Sequence, residues 1–162
     1  MTAHSTETLS PTRSTPSFGD VNGSQSTLEA LAATEHADCL LCGRANPVGL
    51  RLRFRLQSDG SVLAAFTCRE AFQSYAKTLH GGVISALLDA AMTNVLFSIG
   101  VVGVTAELTV RFLAPVLLER AAVVRATLER NAHPLFLVRA ELEQDGKLMA
   151  RASAKFLARE CL

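Results

Sequence analysis

The residues best suited to chemistry lie within one apolar stretch of the chain. Ser85, Asp89 and Thr93 follow one another at intervals of four residues, a spacing that aligns side chains along one face of a helix. Asp89 is the single charged residue between positions 81 and 99. A carboxylate in apolar surroundings is costly unless it is hydrogen-bonded or exchanges its proton. The helix alone leaves two interpretations open: acid–base chemistry at Asp89, or a structural carboxylate bonded to Ser85 or to a neighbouring strand.

Two glycines directly precede this segment. His80-Gly81-Gly82 leads into the apolar run, and residues without a Cβ atom let a bound group approach the backbone. At a helix start their N–H groups point outward, with the positive end of the helix dipole behind them, which favours an anion or an oxyanion. A tight turn from loop to helix would also use glycines, so that alternative stays open.

A pair of cysteines has the spacing of metal ligands or of a redox pair. Between Cys39 and Cys42 lie two residues, and His36 would supply a third ligand, but nothing nearby clearly supplies a fourth. A thioredoxin-like redox pair follows a strand, and residues 32–38 do not have a strand pattern. The chain contains four cysteines and no export signal, which favours reduced thiols. We therefore predict no metal and no tightly bound cofactor.

The elements that must position these residues can be predicted from periodicity. Residues 83–99 are apolar on every side of a helical wheel, which predicts a central helix enclosed by protein. Residues 50–56 alternate apolar and basic side chains, and a turn at 58–60 leads into a second apolar segment, which predicts a hairpin with its arginines on the solvated face. Turn residues after the helix separate four segments with strand periodicity: 104–114, 121–131, 135–144 and 147–158.

The last of these segments has small apolar residues on one face. Leu148, Ala150, Ala152, Ala154 and Phe156 alternate with mostly polar side chains, and small residues allow a helix to lie close against the sheet. We predict an α+β fold in which a curved antiparallel β-sheet of about five to six strands wraps round the long central helix. Because the sheet alone would not cover that helix, we also predict a homodimer built from equivalent surfaces.

Length and charge limit the remaining possibilities. The 162 residues, 49% of them hydrophobic, suffice for one domain. We expect residues 1–26 to be a disordered leader without a signal-peptide core, 27–37 to form a short helix capped by Ser26, and 38–162 to form the domain. A net charge of +1 argues against nucleic acid and an anionic membrane as partners. The apolar helix is short for a membrane span and contains an Asp and an Asn, so we predict a cytoplasmic protein.

Several motifs taken together resemble one known family. The motifs are His80-Gly81-Gly82 with Asp89 nine residues after the histidine, Cys39-x-x-Cys42-Gly43, Asn46-Pro47-x-Gly49-Leu50, Phe72-Gln73-Ser74-Tyr75, and the strand from Thr105 to Pro115. In this order they resemble the hotdog-fold acyl-CoA thioesterases of the phenylacetate-pathway (PaaI-like) family over residues 38–157. The resemblance implies the hotdog fold, hydrolysis of an acyl-CoA without a cofactor, and a homodimer or a tetramer of dimers.

The resemblance also implies roles for individual residues. Asp89 would act as general base or nucleophile on the thioester. The N–H of Gly82, with that of Gly81, would stabilise the oxyanion. His80 would fix the loop and bond the substrate carbonyl or a water. Thr105 would reach in from the partner subunit to help hold the water.

Some positions depart from the family pattern. Many relatives have an asparagine six residues before the histidine, where this chain has Ser74 with Gln73 beside it. Either one of these two residues replaces the asparagine or its contribution is missing, and we place both with Ser85 among the substrate-binding residues. A second acid or hydroxyl after the helix aspartate is replaced by Ala90-Ala91.

Two other functions remain as hypotheses. A hotdog hydratase or dehydratase also pairs a histidine with an acid, although the chain lacks a His-Phe-Pro type loop. A non-catalytic acyl-CoA-binding domain is the other alternative, since a fold does not determine a function.

Overall fold

The structure is a computed structural model that describes residues 23–161. Most of the predicted leader, residues 1–22, lies outside the described residues. The elements in chain order are α1 (Gln25–Glu35), β1 (Arg55–Leu56), β2 (Val62–Thr67), a 3-10 turn (Glu70–Phe72), α2 (Gly81–Ser98), β3 (Gly103–Phe112), β4 (Ala121–Ala132), β5 (Leu135–Gln144), β6 (Lys147–Ala158) and a second 3-10 turn (Arg159–Cys161).

A single sheet forms the scaffold. Its six strands are antiparallel in the order β1-β2-β4-β5-β6-β3, so β3 lies at one edge. The helix α2 packs against each of the five longer strands, β2 to β6, because each of them turns one apolar face toward it. The predicted α+β hotdog arrangement is confirmed.

The inner face of β6 is shifted at one point by a β-bulge. Leu142 pairs with Ala150, but the next residue of β5, Glu143, pairs with Leu148. Met149 is therefore an extra residue, which reverses the alternation of inner and outer side chains beyond it. The prediction holds from Ala150 onward and is wrong for Leu148: Met149 is buried and Leu148 only partly so.

The first predicted strand is mostly not part of the sheet. Only Arg55–Leu56 pairs with β2. Arg51 has a φ of 53°, a left-handed conformation that interrupts an extended strand. The N–H groups of Leu50 and Leu52 instead donate to the carbonyls of Leu40 and Leu41, each at 2.8 Å. This segment therefore pairs with the turn that contains the two spaced cysteines, although its arginines are exposed as predicted.

The N-terminal helix α1 starts earlier than expected. Its N-cap is Ser24, whose hydroxyl accepts a hydrogen bond from the N–H of Thr27 at 3.4 Å. The expectation that Ser26 caps the helix is wrong, because Ser26 already lies in the first turn. Leu28 of α1 is buried in the same core as α2.

The central helix α2 is unevenly buried. Every residue from Ala90 to Ser98 is buried, but Ser85, Ala86 and Asp89 are partly exposed and Gly82 is exposed. Within one chain, the first half of the helix is therefore not covered on all sides, and the prediction that a second subunit covers it stays a prediction. By length and a mean hydropathy of 1.4 the helix could cross a membrane, yet 67% of it is buried inside the fold, which is usual for a core helix.

Candidate functional site

His80 is the N-cap of the central helix. Its Nδ1 accepts a hydrogen bond from the N–H of Gly82 at 2.9 Å. The backbone N–H of His80 donates to the carbonyl of Phe72 at 2.8 Å, which connects the helix start to the preceding loop. Since Nδ1 accepts a hydrogen bond here, the single proton of the neutral imidazole lies on Nε2. The exposed side chain therefore offers an Nε2–H donor to anything bound outside the helix start.

The two glycines differ in what their N–H groups do. Gly82, the expected oxyanion donor, already donates to His80. Gly81 is the first residue of the helix, and its N–H reaches no acceptor among residues 23–161. A Cβ atom at Gly82 would lie 3.0 Å from the Nδ1 of His80, whereas one at Gly81 would lie 3.5 Å from the ring of Phe112. Of the two expected donors, the one that is free among the described residues is therefore the N–H of Gly81, whereas that of Gly82 is bonded to His80.

Asp89 is held by the neighbouring edge strand. The hydroxyl of Thr105 on β3 donates to Oδ1 of Asp89 at 2.8 Å. Ser85 does not contact the carboxylate, since its hydroxyl donates to the carbonyl of Gly81 at 3.0 Å. No other donor within residues 23–161 reaches the partly exposed carboxylate, and no buried side-chain polar atom of this part of the chain lacks a partner. The second oxygen, Oδ2, is therefore open to solvent or to a ligand.

Thr105 reaches Asp89 because of a bulge in β3. Thr105 pairs with Phe156 and Glu107 with Lys155, which leaves Ala106 as the extra residue. In a regular strand, Thr105 and Leu108 would point to opposite faces of the sheet. The extra residue in the bulge turns both side chains toward the helix. We expected Thr105 to act across a subunit interface, but the structure joins it to Asp89 of its own chain. No partner is needed for this contact.

The loop before the glycines uses one of its two polar candidates for its own structure. Oε1 of Gln73 accepts a hydrogen bond from the N–H of Lys77 at 2.8 Å, and the N–H of Ser74 donates to the carbonyl of Thr78 at 2.9 Å. Both side chains are exposed. The side-chain oxygen of Gln73 therefore stabilises the loop. The side-chain hydroxyl of Ser74 takes part in neither of these two bonds.

The site around Asp89 is open in a single chain. One cavity of about 890 Å³ lies between α1 and residues 52–57, and another of about 730 Å³ lies between residues 47–55 and β2. Neither is lined by Asp89, His80 or Thr105. The exposed side chain of Phe112 borders Gly81, a neighbour that the sequence patterns did not single out. A bound substrate would need a further surface to enclose it.

A second cluster brings together His36, Cys39 and Cys42. The Sγ atom of Cys42 lies 3.4 Å from Nδ1 of His36. Burial lowers the pKa of His36, and the negative charges of Glu35 and Asp89 act in the other direction and raise it. Burial, and secondarily the neighbouring Cys39, raises the pKa of the Cys42 thiol to about 12. The sequence suggested this grouping, and the fold assembles it.

Asn94 of α2 is a further polar residue beside this cluster. It is buried, and its amide donates to the carbonyl of Ala90 at 2.8 Å and lies 4.0 Å from the Sγ of Cys42. The signal for it in the sequence is an asparagine within an otherwise apolar helix.

Comparisons with known proteins agree with the fold. The sequence profile of the Thioesterase superfamily matches residues 76–150. A putative thioesterase of Ralstonia eutropha JMP134, a phenylacetic acid degradation-related protein, is 28% identical, with a TM-score of 0.64 over 71% of this chain and 90% of that one. The Escherichia coli PaaI protein is 17% identical, with a TM-score of 0.70 over 82% of this chain and 94% of that one.

A third solved structure, a thioesterase superfamily protein, is longer than the matched region. It is 24% identical with a TM-score of 0.67, and the match covers 71% of this chain but only 60% of that protein. No curated protein matches the sequence. The fold and these matches define a hotdog-fold protein similar to the thioesterase superfamily. Within that class, the resemblance to the PaaI-like thioesterases is confirmed.

Proposed function

We propose that this protein hydrolyses an acyl-CoA, or a related thioester, to a carboxylic acid and a thiol. The observation that carries the proposal is the position of Asp89: a partly exposed carboxylate, held by Thr105 through Oδ1, on the helix whose first N–H is free. The match to the Thioesterase superfamily supports the reaction class.

The choice of coenzyme A as the thiol has separate support. A hypothetical thioesterase from Streptococcus pneumoniae TIGR4 was crystallised with coenzyme A, and smu.793 from Streptococcus mutans UA159 was crystallised with acetyl-CoA. These proteins are 17% and 18% identical to this chain, so the likeness concerns the fold. An acyl-CoA is therefore the substrate class to test first.

The reaction assigns one task to each oxygen of Asp89. Oδ1 is held by Thr105, so Oδ2 does the chemistry. As a general base, Oδ2 takes a proton from a water whose oxygen adds to the thioester carbonyl carbon. As a nucleophile, Oδ2 adds to that carbon itself. The tetrahedral intermediate then collapses, the C–S bond breaks, and the thiolate leaves and takes up a proton. If Asp89 attacks directly, water hydrolyses the resulting anhydride in a second step.

The oxyanion would be stabilised at the helix start. The N–H of Gly81 has no other acceptor among residues 23–161, and the Nε2–H of His80 lies on the exposed side of the same turn. Gly82 acts indirectly by holding the imidazole in this tautomer. Ser74, in the loop that His80 anchors, would take the place of the asparagine of many relatives.

A second copy of the chain would complete the site. The edge strand β3 has one neighbour, β6, and carries the exposed apolar residues Val104 and Phe112, with the exposed Leu113 directly after it. A long exposed edge strand is a template for pairing with another chain. Pairing two β3 strands about a two-fold axis would cover this edge and the open half of α2, and would enclose the surface around Asp89.

The experiment is a thiol-release assay with short-chain, medium-chain and aryl CoA thioesters. Asp89→Asn is expected to lower kcat by about 10²- to 10⁴-fold. The matched control is Asp59→Asn, because the Oδ1 of Asp59 also accepts a hydroxyl bond, from Ser61 at 2.6 Å, but in a surface turn. The proposal is wrong if no thioester is hydrolysed or if Asp89→Asn retains full activity. Hydration of an enoyl-CoA, or CoA-ester binding without turnover, would then identify the alternative.

A further inference from the structure

We propose that His36, Cys39 and Cys42 bind one zinc ion at a structural site separate from thioester hydrolysis. One ligand atom from each residue lies within 4.8 Å of the other two. Two thiols and an imidazole are the ligands that zinc prefers in proteins. The proposal is independent of the hydrolytic function, because none of the three residues belongs to the site around Asp89.

The distances between the ligand atoms suit a tetrahedral ion. With Zn–S about 2.3 Å and Zn–N about 2.0 Å, tetrahedral geometry requires about 3.5 Å between sulfur and nitrogen and about 3.8 Å between the two sulfurs. The observed Cys42 Sγ to His36 Nδ1 distance is 3.4 Å. With all three atoms within 4.8 Å, small side-chain rotations suffice to bind an ion.

The backbone of this turn is organised around the sulfur atoms. The N–H of Leu41 points at the Sγ of Cys39 at 3.4 Å, and the N–H of Gly43 donates to the carbonyl of Cys39 at 2.9 Å. The N–H of Cys39 donates to the carbonyl of His36 at 3.1 Å, which keeps the third ligand close. A Cβ atom at Gly43 would lie 2.4 Å from the N atom of Cys39, so this turn requires glycine.

Charge and surroundings also suit a divalent cation. Two thiolates balance the two charges of the ion, and a neutral imidazole adds none, so the loaded site is neutral and tolerates partial burial. The amide of Asn94 points at the Sγ of Cys42 from the buried side at 4.0 Å, as an outer partner that orients a ligand does. Cys39 and His36 are only partly buried, so water would supply the fourth ligand.

The consequence of binding would be mechanical. His36 is the C-cap of α1, its ring packs edge-on against Phe97 of α2 at 4.8 Å, and the cysteine turn pairs with residues 50–52. An ion held here would fasten α1 and this irregular segment to the central helix. Removing the ion should lower the melting temperature and leave the chemistry at Asp89 in place.

The test uses the full chain, reduced, stripped with a chelator and titrated with Co²⁺ alone. We expect one Co²⁺ per chain, with a thiolate-to-cobalt charge-transfer band and the visible bands of tetrahedral cobalt, both removed by Zn²⁺. Cys39→Ser and Cys42→Ser should abolish the charge-transfer band, and His36→Gln should weaken binding by at least about tenfold. Cys161→Ser, an exposed thiol elsewhere, is the control and should bind as the unaltered chain does.

Two further measurements keep the proposal decidable if a cysteine variant does not fold. In the unaltered chain, Zn²⁺ should protect Cys39 and Cys42, and no other cysteine, from alkylation as read by peptide mapping. Zinc at about 100 times its dissociation constant should raise the melting temperature by about 5 to 10 °C. Absence of a charge-transfer band in the unaltered chain, equal binding by Cys42→Ser, or unchanged alkylation of both cysteines overturns the proposal.

Discussion

The hydroxyl of Thr105 donates a 2.8 Å hydrogen bond to Oδ1 of Asp89 within one chain. This bond joins the edge strand β3 to the central helix α2, and it leaves the other carboxylate oxygen without a partner in residues 23–161. A carboxylate held by one oxygen has a fixed orientation, which is what a base or a nucleophile requires. The functional predictions depend on this geometry.

Removing the hydroxyl of Thr105 should lower turnover without unfolding the protein. A hydrogen bond to a charged group contributes about 1.5 to 3 kcal/mol, so Thr105→Val is expected to lower kcat by about 10- to 100-fold with little change in KM. Thr105→Ser retains the hydroxyl and should recover most of the activity. Thr109→Val, on the same strand and exposed, is the control. Equal activities of the Val and Ser variants at position 105 would contradict a positioning role for the hydroxyl.

His80 should matter for stability as well as for activity. Its Nδ1 caps α2, and loss of an N-cap typically costs about 0.5 to 2 kcal/mol. His80→Ala should therefore lower the free energy of unfolding by about that amount in urea titrations. His80→Asn, whose side-chain oxygen can accept the same N–H, should recover most of the stability but not the turnover. If Asn and Ala are equally destabilising, the capping role is wrong.

The assignment of the oxyanion donors can be tested at Gly82. A Cβ atom there would lie 3.0 Å from Nδ1 of His80, so Gly82→Ala should displace the imidazole. Because removal of one oxyanion donor typically costs about 10²-fold or more in kcat, we expect Gly82→Ala and His80→Ala each to approach that loss. The double variant should be no worse than His80→Ala. Multiplicative effects in this double-mutant cycle would indicate that Gly82 acts on the substrate itself.

The proposed dimer can be tested with matched pairs of apolar residues. Val104 and Phe112 on the edge strand are 43% and 52% exposed. Val123 on β4 and Leu135 on β5, two strands with neighbours on both sides, are 39% and 36% exposed. Val104→Glu with Phe112→Glu should shift the mass measured by light scattering from dimer toward monomer. Val123→Glu with Leu135→Glu should leave the β3 pairing intact. Dimers of undiminished stability in the first variant would exclude β3 as the interface.

The small inner face of β6 should not tolerate enlargement. Ala152 is 4% exposed and pairs with Val110 and Ala140 on the two adjacent strands. Ala152→Leu is expected to cost about 1 to 3 kcal/mol, because extra methylenes in a packed core force neighbours to move. Ser153→Leu, on the exposed face, should change stability by less than about 0.5 kcal/mol. Thermal denaturation of both variants measures the difference, and equal losses would contradict the predicted packing.

Periodicity predicted most of the fold, since it reflects which face of an element is buried. The strands Leu135–Gln144 and Lys147–Ala158 have the predicted bounds, and α2 begins two residues before the predicted start. The predicted strand at residues 50–56 holds only for Arg55–Leu56, because alternating burial persists before them while the hydrogen bonds of Leu50 and Leu52 go to another partner. A burial pattern predicts which face of a segment is covered. It does not predict which other segment forms backbone hydrogen bonds with it.

The sequence by itself determined the apolar helix with its one carboxylate, the glycine pair at its start and the spacing of Cys39 and Cys42, because these depend on residues close together in the chain. Only the tertiary structure decided which N–H is free, Gly81 rather than Gly82. It also brought Thr105 to Asp89 through a bulge. Hydrogen-bond partners and bulges follow from how distant segments pack, which the local pattern of residue types does not specify.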